Sequence, residues 1–326
     1  MTNILIALVL IFLVATLVQI LRVSELLSEL QKQDVNKVTE KDNKNQSVIM
    51  AFVGIVFLAS CVWQYLSWNH LMLPEASSEH GLIIDNLMEF TMILIIVVFF
   101  ILHIFLFYFI YKYKKSADND VAYYYSHNNK LEFIWTIAPA IVLTGVILYG
   151  LSVWDQITNV DTTNSAVIEV YGKQFAWQAR YPGADNTLGT YNYKLVKGPN
   201  VLGVDMEDET SLDDKVTGEV HLVVGQPVLL KFRSQDIIHS AFLPHFRVQM
   251  NCVPGMSTQF AFTPIKTTAE MKEQEGEDFE YTMLCNKICG VAHYNMQMKF
   301  VVETQEEYDA WLAGQKTLSE KLLTQK

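Results

Sequence analysis

Four long apolar stretches occupy the first half of the chain, and they constrain its fold more than any other feature. Each has close to the roughly 20 residues that an α-helix needs to cross about 30 Å of hydrocarbon. Charged residues make up only 18% of the chain, below the roughly 25% of an average soluble domain. We therefore predict four transmembrane helices, at Ile4–Leu21, Val48–Trp68, Met88–Tyr111 and Phe133–Trp154.

Two of these stretches have alternative interpretations. Ile4–Leu21 could be a secretory signal, but no Lys or Arg precedes it and no A-x-A-like cleavage site closes it. Val48–Trp68 could be a buried helix of a soluble protein, because it carries Ser60, Gln64 and Ser67. An uncleaved span is the better interpretation of the first stretch, and a transmembrane helix is the better interpretation of the second.

Basic residues predict how the membrane part is oriented. All nine Lys and Arg residues before Asp155 lie in two of the three connections between the stretches, and the connection Asn69–Leu87 contains none. Because basic residues stay on the cytoplasmic side, the first and third connections are predicted inside and the second outside. Four spans then place both the N-terminus and everything after Trp154 outside. The nine residues are Arg22, Lys32, Lys37, Lys41, Lys44, Lys112, Lys114, Lys115 and Lys130.

The second half of the chain predicts an all-β sandwich or barrel. Short segments rich in β-branched and aromatic residues alternate with turns that contain Gly and Pro. A capping box at Thr304–Glu307 opens a predicted C-terminal helix over residues 304–321. The stretch Gly198–Asp214 holds six acidic residues and no strand pattern, so we predict a solvated loop there. The predicted strands are Ala166–Tyr171, Gln174–Tyr181, Glu219–Phe232, Ser257–Phe262, Phe279–Leu284 and Met296–Val302.

These patterns divide the chain into a membrane domain, residues 1–154, and an external domain, residues 155–326, so the predicted class is an α+β membrane protein. The external domain carries 23 acidic and 15 basic residues, so −8 of the net charge of −11 belongs to it. A nucleic-acid binder needs a basic face, so nucleic acid is not a predicted partner. Four cysteines among 326 residues are too few for a disulfide scaffold.

One segment of the external domain carries residues suited to bind a metal. Cys285, Cys289, His293 and Met296 fall within twelve residues, and His239, at the end of another strand candidate, could bring in a second imidazole. Thiolate, imidazole and thioether together form a ligand set that copper prefers, whereas zinc is usually held by Cys and His without Met. The spacing Cys-x3-Cys-x3-His-x2-Met therefore favours copper.

Other interpretations of this segment stay open. Cys285 and Cys289 could form a disulfide on the oxidising outer face of the membrane. The same two cysteines with His239 and His293 could hold a structural zinc ion, and Met296 could be a core residue. If copper binds, a mononuclear blue site needs one Cys, whereas the two available here are enough to bridge two coppers, with one His for each.

At these residues the sequence resembles subunit II of the haem-copper oxidases that accept electrons from cytochrome c. The resemblance covers about residues 85–326, as a helical hairpin followed by a cupredoxin domain, and it implies two copper ions in a dinuclear centre called CuA. The implied ligands are Cys285 and Cys289 bridging both coppers, His239 and Met296 on one copper, and His293 and the backbone carbonyl of Lys287 on the other.

A second match lies at the start of the fourth apolar stretch. Leu131–Ala140 is similar to the E-x-x-W-T-x-x-P-A opening of the family's second hairpin helix. In some members the carboxylate that matches Glu132 lies at the mouth of a proton channel in subunit I. A helix-start residue favoured by the helix dipole is an equally good interpretation of Glu132.

The sequence departs from the family pattern at positions that bear on function. Lys287 stands where the family usually has a Glu that also reaches a magnesium ion at the subunit I interface, and an ammonium group cannot replace that carboxylate. Phe175 matches the tryptophan proposed as the point where electrons enter, and Trp177, a neighbouring aromatic residue, is the other candidate for electron entry. An acidic insertion, Lys266–Asp278, and the first two apolar stretches are also additions to the family pattern.

The resemblance implies an electron-relay subunit of a respiratory cytochrome c oxidase in the bacterial inner membrane, with its C-terminal domain on the periplasmic side. Cytochrome c, or a cytochrome c domain of another complex, would reduce CuA. CuA would pass electrons to haem in subunit I, where oxygen is reduced to water and protons are pumped. Subunit III is a further expected partner. No C-x-x-C-H motif occurs, so no covalent haem is expected.

Two other functions are alternatives to an oxidase subunit. One is a membrane-anchored cupredoxin without an oxidase, and the other is a structural domain held by zinc or a disulfide.

The distribution of basic residues yields a prediction about topology. A reporter enzyme fused after Lys326 should be active only outside the cytoplasm, whereas one inserted in Gln31–Gln46 should be active only inside, because Lys and Arg resist translocation. Paired fusions with a periplasmic and a cytoplasmic reporter measure both positions. The opposite pattern would overturn the orientation.

Overall fold

The computed structural model describes residues 2–30, 38–116 and 124–323. Its first half contains four helices that are long and apolar enough to cross a membrane, with mean hydropathy between 2.0 and 3.1. The prediction of four apolar helices is confirmed, and all four extend beyond the predicted stretches. Lys32 and Lys37, which contribute to the predicted orientation, lie outside the described residues. The helices are α1 (Thr2–Leu30), α2 (Glu40–Trp68), α3 (Glu79–Lys112) and α4 (Asn129–Thr158).

The chain forms two compact units, one with residues 1–66 and 96–128 and the other with residues 67–95 and 129–326. In the first unit α2 packs closely on α3 at Gly54, where an added Cβ would lie 2.4 Å from the ring of Phe107. A glycine at this position lets the two helices approach each other, as small residues do in membranes. The predicted division into a membrane domain, 1–154, and an external domain, 155–326, stays a prediction.

The second unit contains the strands β1 (Ala166–Lys173), β2 (Ala176–Tyr181), β3 (Lys215–Thr217), β4 (Val220–Val223), β5 (Val228–Ser234), β6 (His239–Leu243), β7 (Val248–Cys252), β8 (Thr258–Phe262), β9 (Tyr281–Cys285) and β10 (Gln297–Glu303). They form two five-stranded sheets, in the orders β3-β2-β1-β5-β8 and β4-β10-β9-β6-β7. Alternation along β10 shows how the core is built, since Met298, Phe300 and Val302 are buried while their neighbours are more exposed. Both sheets contribute to one core, which confirms the predicted β-sandwich.

Some predicted boundaries in the external domain were wrong. The segment Glu219–Phe232 is two strands, β4 and β5, because the chain turns at Gly225 with a φ of +74°. β3, β6 and β7 fall outside the predicted strands; β3 has only three residues, too few for an alternating pattern. His239 was predicted at the end of a strand and instead is the first residue of β6.

The predicted continuous helix over residues 304–321 was also wrong, although its capping box is present. Thr304 and Glu307 form that box at the start of α6 (Gln305–Ala313). Gly314 then ends α6, and a separate short helix, α7 (Leu318–Leu323), follows.

The stretch Gly198–Asp214 is irregular as predicted, but it is not fully solvated. Leu202 and Val204 are buried in a small apolar cluster, and the carboxylate of Asp214 is buried beside the guanidinium of Arg180, at 2.9 Å. Arg180 also binds Glu169 on the neighbouring strand β1, at 2.8 Å. The acidic composition of this stretch predicted that its carboxylates are exposed to solvent. The carboxylate of Asp214 is instead paired inside the domain with the buried guanidinium of Arg180.

Glu169 stands at the centre of this buried charge network. Its carboxylate accepts hydrogen bonds from Arg180 and from both Nε and Nη2 of Arg233. Burial acts to raise the pKa of Glu169, but the two guanidinium groups outweigh it and hold the pKa below its usual value. The three side chains cross-link β1, β2 and β5 within one sheet.

The insertion Lys266–Asp278 forms a short helix, α5 (Thr268–Glu275). A capping box of Thr267 and Glu270 starts it, and Gly276 with a φ of +113° follows its last residue. Met271 points from the helix into the core and is 1% exposed. The insertion is therefore an integral layer of the domain.

The connection between α2 and α3 is bound into the same unit as the sheets. Ser77 N donates a hydrogen bond to the carbonyl of His245 at 2.7 Å, and Ser78 Oγ donates to the carbonyl of Phe246 at 2.7 Å. Arg247 makes a two-pronged ion pair with Asp85 in α3, with both N–O distances 2.8 Å. The β6–β7 turn thus holds the start of a transmembrane helix.

Candidate metal centre

Strand pairing brings the upstream imidazole to the first cysteine. β6 and β9 are antiparallel neighbours, with Ala241 opposite Cys285. The amide of Asn286 donates a hydrogen bond to the carbonyl of Ser240 at 2.9 Å, which extends the pairing toward the start of β6. His239, the first residue of β6, therefore lies beside Cys285, the last residue of β9, although 46 positions separate them.

The loop between β9 and β10 closes on itself and collects the remaining candidate ligands. The amide of Cys285 donates to the carbonyl of Met296 at 3.0 Å, which joins the two ends of the loop. Gly290 has a φ of +136°, a conformation that residues with a Cβ rarely adopt, and a short 3-10 helix over His293–Asn295 leads back to β10. The loop thereby turns Cys289, His293 and Met296 toward Cys285.

The structure brings all six predicted ligand residues together. The two Sγ atoms are 3.8 Å apart, His239 Nδ1 lies 3.8 Å from Cys285 Sγ, and His293 Nδ1 lies 3.6 Å from Cys289 Sγ. Met296 Sδ is 3.8 Å from Cys289 Sγ, and the carbonyl oxygen of Lys287 is 3.3 Å from Cys285 Sγ. The donor atoms of His239, Cys285 and Cys289 all lie within 4.8 Å of one another.

The sulfur separation fits a shared metal better than a disulfide. A disulfide bond is about 2.05 Å long, and both cysteines are free in the structure. Two thiolates about 2.3 Å from one tetrahedral ion would lie about 3.8 Å apart, which matches the observed spacing. Each sulfur also faces its own imidazole.

Burial controls the protonation of the Cys289 thiol. Burial, and then the neighbouring Cys285, raises the pKa of Cys289 to about 11. The thiol therefore keeps its proton at neutral pH unless a cation takes its place. Binding of a metal ion releases that proton, so affinity for the metal should rise with pH.

Asp236 orients His239, a role that the sequence did not assign. Its carboxylate accepts a hydrogen bond from His239 Nε2 at 2.9 Å and another from the amide of Gln174 at 2.7 Å. Because a carboxylate only accepts, Nε2 carries the ring proton and the lone pair of Nδ1 faces Cys285. The spacing Asp-x-x-His was the available signal, since carboxylates commonly hold metal-binding imidazoles.

The two aromatic residues from the sequence analysis both touch this site. Trp177 is buried, and its ring lies 5.7 Å from that of His239 in an edge-on arrangement. Phe175 is half-buried against the loop, where a Cβ added to Gly290 would lie 2.7 Å from its ring. Around them the loop exposes Ile288, Val291 and Tyr294 almost fully, between 87% and 91%.

Two other residues lie apart from the ligand cluster. Glu132 is in the first turn of α4, at the opposite end of that helix from β1. Cys252 pairs with His239 across β6 and β7, but burial raises its pKa to about 12 and its Sγ is not part of the candidate group.

Comparisons with known proteins agree with this architecture. The family description "Cytochrome C oxidase subunit II, transmembrane domain" matches residues 66–153, and "Cytochrome C oxidase subunit II, periplasmic domain" matches residues 166–304. The "Alternative cytochrome c oxidase subunit 2" of Bradyrhizobium diazoefficiens is 35% identical over 200 residues, covering 61% of this chain and 68% of the relative. The "Cytochrome c oxidase subunit 2" of a Synechocystis species is 23% identical over 291 residues, covering 82% of each chain.

A solved structure is also similar to the external part of the chain. It is the periplasmic domain of subunit II of cytochrome oxidase from Bradyrhizobium japonicum, 23% identical, covering 46% of this chain and 93% of that one. Its TM-score of 0.32 is too low to support a fold assignment, which rests instead on the strands and helices of this chain.

The contact between Asp236 and His239 yields a prediction. Asp236→Asn should weaken copper binding by about 10- to 100-fold, because the imidazole loses the carboxylate that fixes its tautomer and ring position. Competition with a copper chelator measures the affinity. Asp161→Asn, at an exposed carboxylate bound only to Thr163, is the matched control and should bind like the wild type. Equal affinities in the two variants would contradict this role of Asp236.

Proposed function

The chain belongs to the cytochrome c oxidase subunit II family, and on that premise we propose that its loop at residues 285–296 and His239 hold the two copper ions of a CuA centre. It is a subunit of a haem-copper oxidase, an oxidoreductase complex of the inner membrane, and its C-terminal domain lies outside. Bound at this site, a copper pair would take up single electrons and pass them toward the haem of subunit I.

One observation carries this proposal: two buried thiols 3.8 Å apart, each facing a different imidazole. A blue copper site would use one of the thiols and leave the other without a role. The two sulfurs would bridge the ions. His239 and Met296 would complete one end of the pair, and His293 and the carbonyl of Lys287 the other. Met296 is 1% exposed, so its thioether is held in the dry interior beside the cysteines.

Lys287 would contribute its carbonyl oxygen alone. The oxygen points to Cys285 Sγ, while the side chain is exposed to solvent. An ammonium group repels a magnesium ion, so we propose that this chain supplies no side-chain ligand for magnesium at that position. Any magnesium at the interface with subunit I would have to be held by other groups.

The aromatic residues and Glu132 have proposed roles as well. Phe175 and Trp177 are the proposed points of electron entry. Phe175 packs on Gly290 at the outer side of the loop and would lie between the copper site and an external donor, whereas Trp177 is buried inside the domain. Glu132, in the first turn of α4, would stand at the mouth of a proton channel of subunit I.

The proposed ligand set can be tested by electron paramagnetic resonance and copper analysis. Lys287→Ala should keep two coppers and nearly the same spectrum, because the carbonyl remains. Cys285→Ser should lose the shared-electron signal, since no second bridging thiolate is left. A wild-type spectrum of a single blue copper, or a chain that holds only zinc, would favour the rival functions.

The electron donor would be cytochrome c or a cytochrome c domain, and the membrane partners would be subunit I and subunit III. The external domain carries −8, part of it on Asp205, Glu207, Asp208 and Glu209. A donor protein that is basic around its haem edge would be attracted to this acidic surface. Dissolved salt screens the attraction and so limits the distance over which it acts.

A salt series tests this attraction. The rate at which a basic soluble cytochrome c reduces the copper centre should fall as the ionic strength rises, since the Debye length shrinks to about 8 Å near 0.15 M. Stopped-flow spectroscopy measures the rate. A rate that does not depend on salt would contradict steering and favour a donor held permanently beside the domain.

A further inference from the structure

A basic cavity lies in the first unit, where the start of α2 meets the end of α3. It has a volume of about 330 Å³. Its basic lining consists of Lys41 and Lys44 from α2, and Lys114 and Lys115 from the segment that follows α3. Neither the copper site nor the family match accounts for it, because α2 lies almost entirely before the matched residues 66–153.

The cavity has an excess of positive charge. Four lysines line it, with one acidic residue, Glu40. The ammonium group of Lys114 also donates a hydrogen bond to the carbonyl of Tyr111 at 3.3 Å and lies over the ring of that residue. Within the described parts of the chain, no carboxylate oxygen lies within 4.0 Å of the Nζ atom of any of these four lysines. The nearby carboxylate of Asp42 accepts hydrogen bonds from the amide and hydroxyl of Thr39 instead. The N-terminal end of α2 adds a partial positive charge.

A separate apolar groove lies further along the same two helices. It has a volume of about 240 Å³ and is lined by Ala51, Gly54, Ile55, Leu58, Ile104, Phe107, Tyr108 and Tyr111. On α2 the two cavities share a helix face, because Ala51 and Leu58 follow Lys44 at intervals of seven residues. On the other side, Tyr111 of the groove lies next to the last residue of α3, and Lys114 and Lys115 follow that helix end. Positive charge and apolar surface thus lie one above the other.

The membrane orientation places the charged end of this arrangement at an interface. The C-terminal domain is outside and four helices cross the membrane, so the first and third connections, which carry the four lysines, are on the cytoplasmic side. A basic pocket at that level between helices attracts anionic headgroups, and the apolar groove below it lies at the depth of acyl chains.

We propose that the cavity and groove together form a binding site for one anionic phospholipid of the inner leaflet. The phosphate would be held by Lys41, Lys44, Lys114 and Lys115, and one acyl chain would lie along Ala51–Leu58 of α2 and Ile104–Tyr111 of α3. A free phosphate would explain the lysines but would leave the adjoining groove without an occupant. The proposal also gives α2 a function: it supplies half of the site.

The test titrates the full-length chain in neutral detergent with dioleoylphosphatidylglycerol or dioleoylphosphatidylcholine, and native mass spectrometry counts the bound lipids. The anionic lipid should bind at least about tenfold more tightly than the zwitterionic lipid. Each Lys→Gln substitution in the pocket should weaken anionic lipid by about fivefold, so the pair Lys44→Gln and Lys115→Gln should weaken it by about 25-fold. Binding of phosphatidylcholine should not change.

Two further variants separate the possible outcomes. Lys112→Gln removes a lysine whose ammonium lies near the rings of Tyr108 and Tyr113 and does not line the pocket, so it should bind like the wild type. Ile55→Trp fills the apolar groove and should weaken binding of both lipids. Equal affinity for the two lipids, or equal effects of Lys112→Gln and Lys44→Gln, would overturn the proposal. Displacement of phosphatidylglycerol by inorganic phosphate, with no effect of Ile55→Trp, would identify a bare anion site and also overturn it.

Discussion

The pairing of β6 with β9 is the interaction on which the metal centre depends. It places His239 beside Cys285 across a separation of 46 residues, and no local preference of either segment could do this. The two ends of the loop that follows β9 are held together by the pairing of β9 with β10 and by the hydrogen bond from the amide of Cys285 to the carbonyl of Met296. Long-range pairing therefore supplies one ligand, while short-range loop geometry supplies the others. A shift of β6 by one residue would turn the imidazole to the other face of the sheet.

The same strand also connects the metal centre to the membrane anchor. β6 begins at His239 and ends in the turn that carries Arg247, whose guanidinium holds Asp85 of α3 and the carbonyls of Pro74 and Pro244. A five-residue strand spans about 17 Å, and most of β6 is buried. The position of the copper-binding end is therefore linked to the start of a transmembrane helix through a short and rigid element. An electron relay needs such stiffness, because tunnelling rates fall exponentially with distance.

Several charges in this chain have a structural function that composition conceals. The external domain has an excess of carboxylates, yet Glu169 and Asp214 are buried with Arg180, and Glu169 also binds Arg233. Removing one member of such a network leaves an unpaired buried charge, which typically costs about 3–5 kcal/mol. Only the remaining exposed carboxylates contribute to the field that a donor protein meets. In the first unit a local cluster of lysines, Lys41, Lys44, Lys114 and Lys115, has the opposite sign, and there it would bind a lipid headgroup.

The sequence by itself determined the four apolar helices, the β-sandwich and the identity of the candidate ligands, because hydropathy, alternation and the Cys-x3-Cys-x3-His-x2-Met spacing are local patterns. It assigned no role to Asp236, because the spacing Asp-x-x-His offers a possible carboxylate partner for the imidazole but does not show that the chain folds so that the two side chains meet. It predicted a solvated loop at Gly198–Asp214, because it could not reveal that Arg180 lies buried opposite. Only the tertiary structure decided these points, since each depends on which distant residues come within hydrogen-bonding distance.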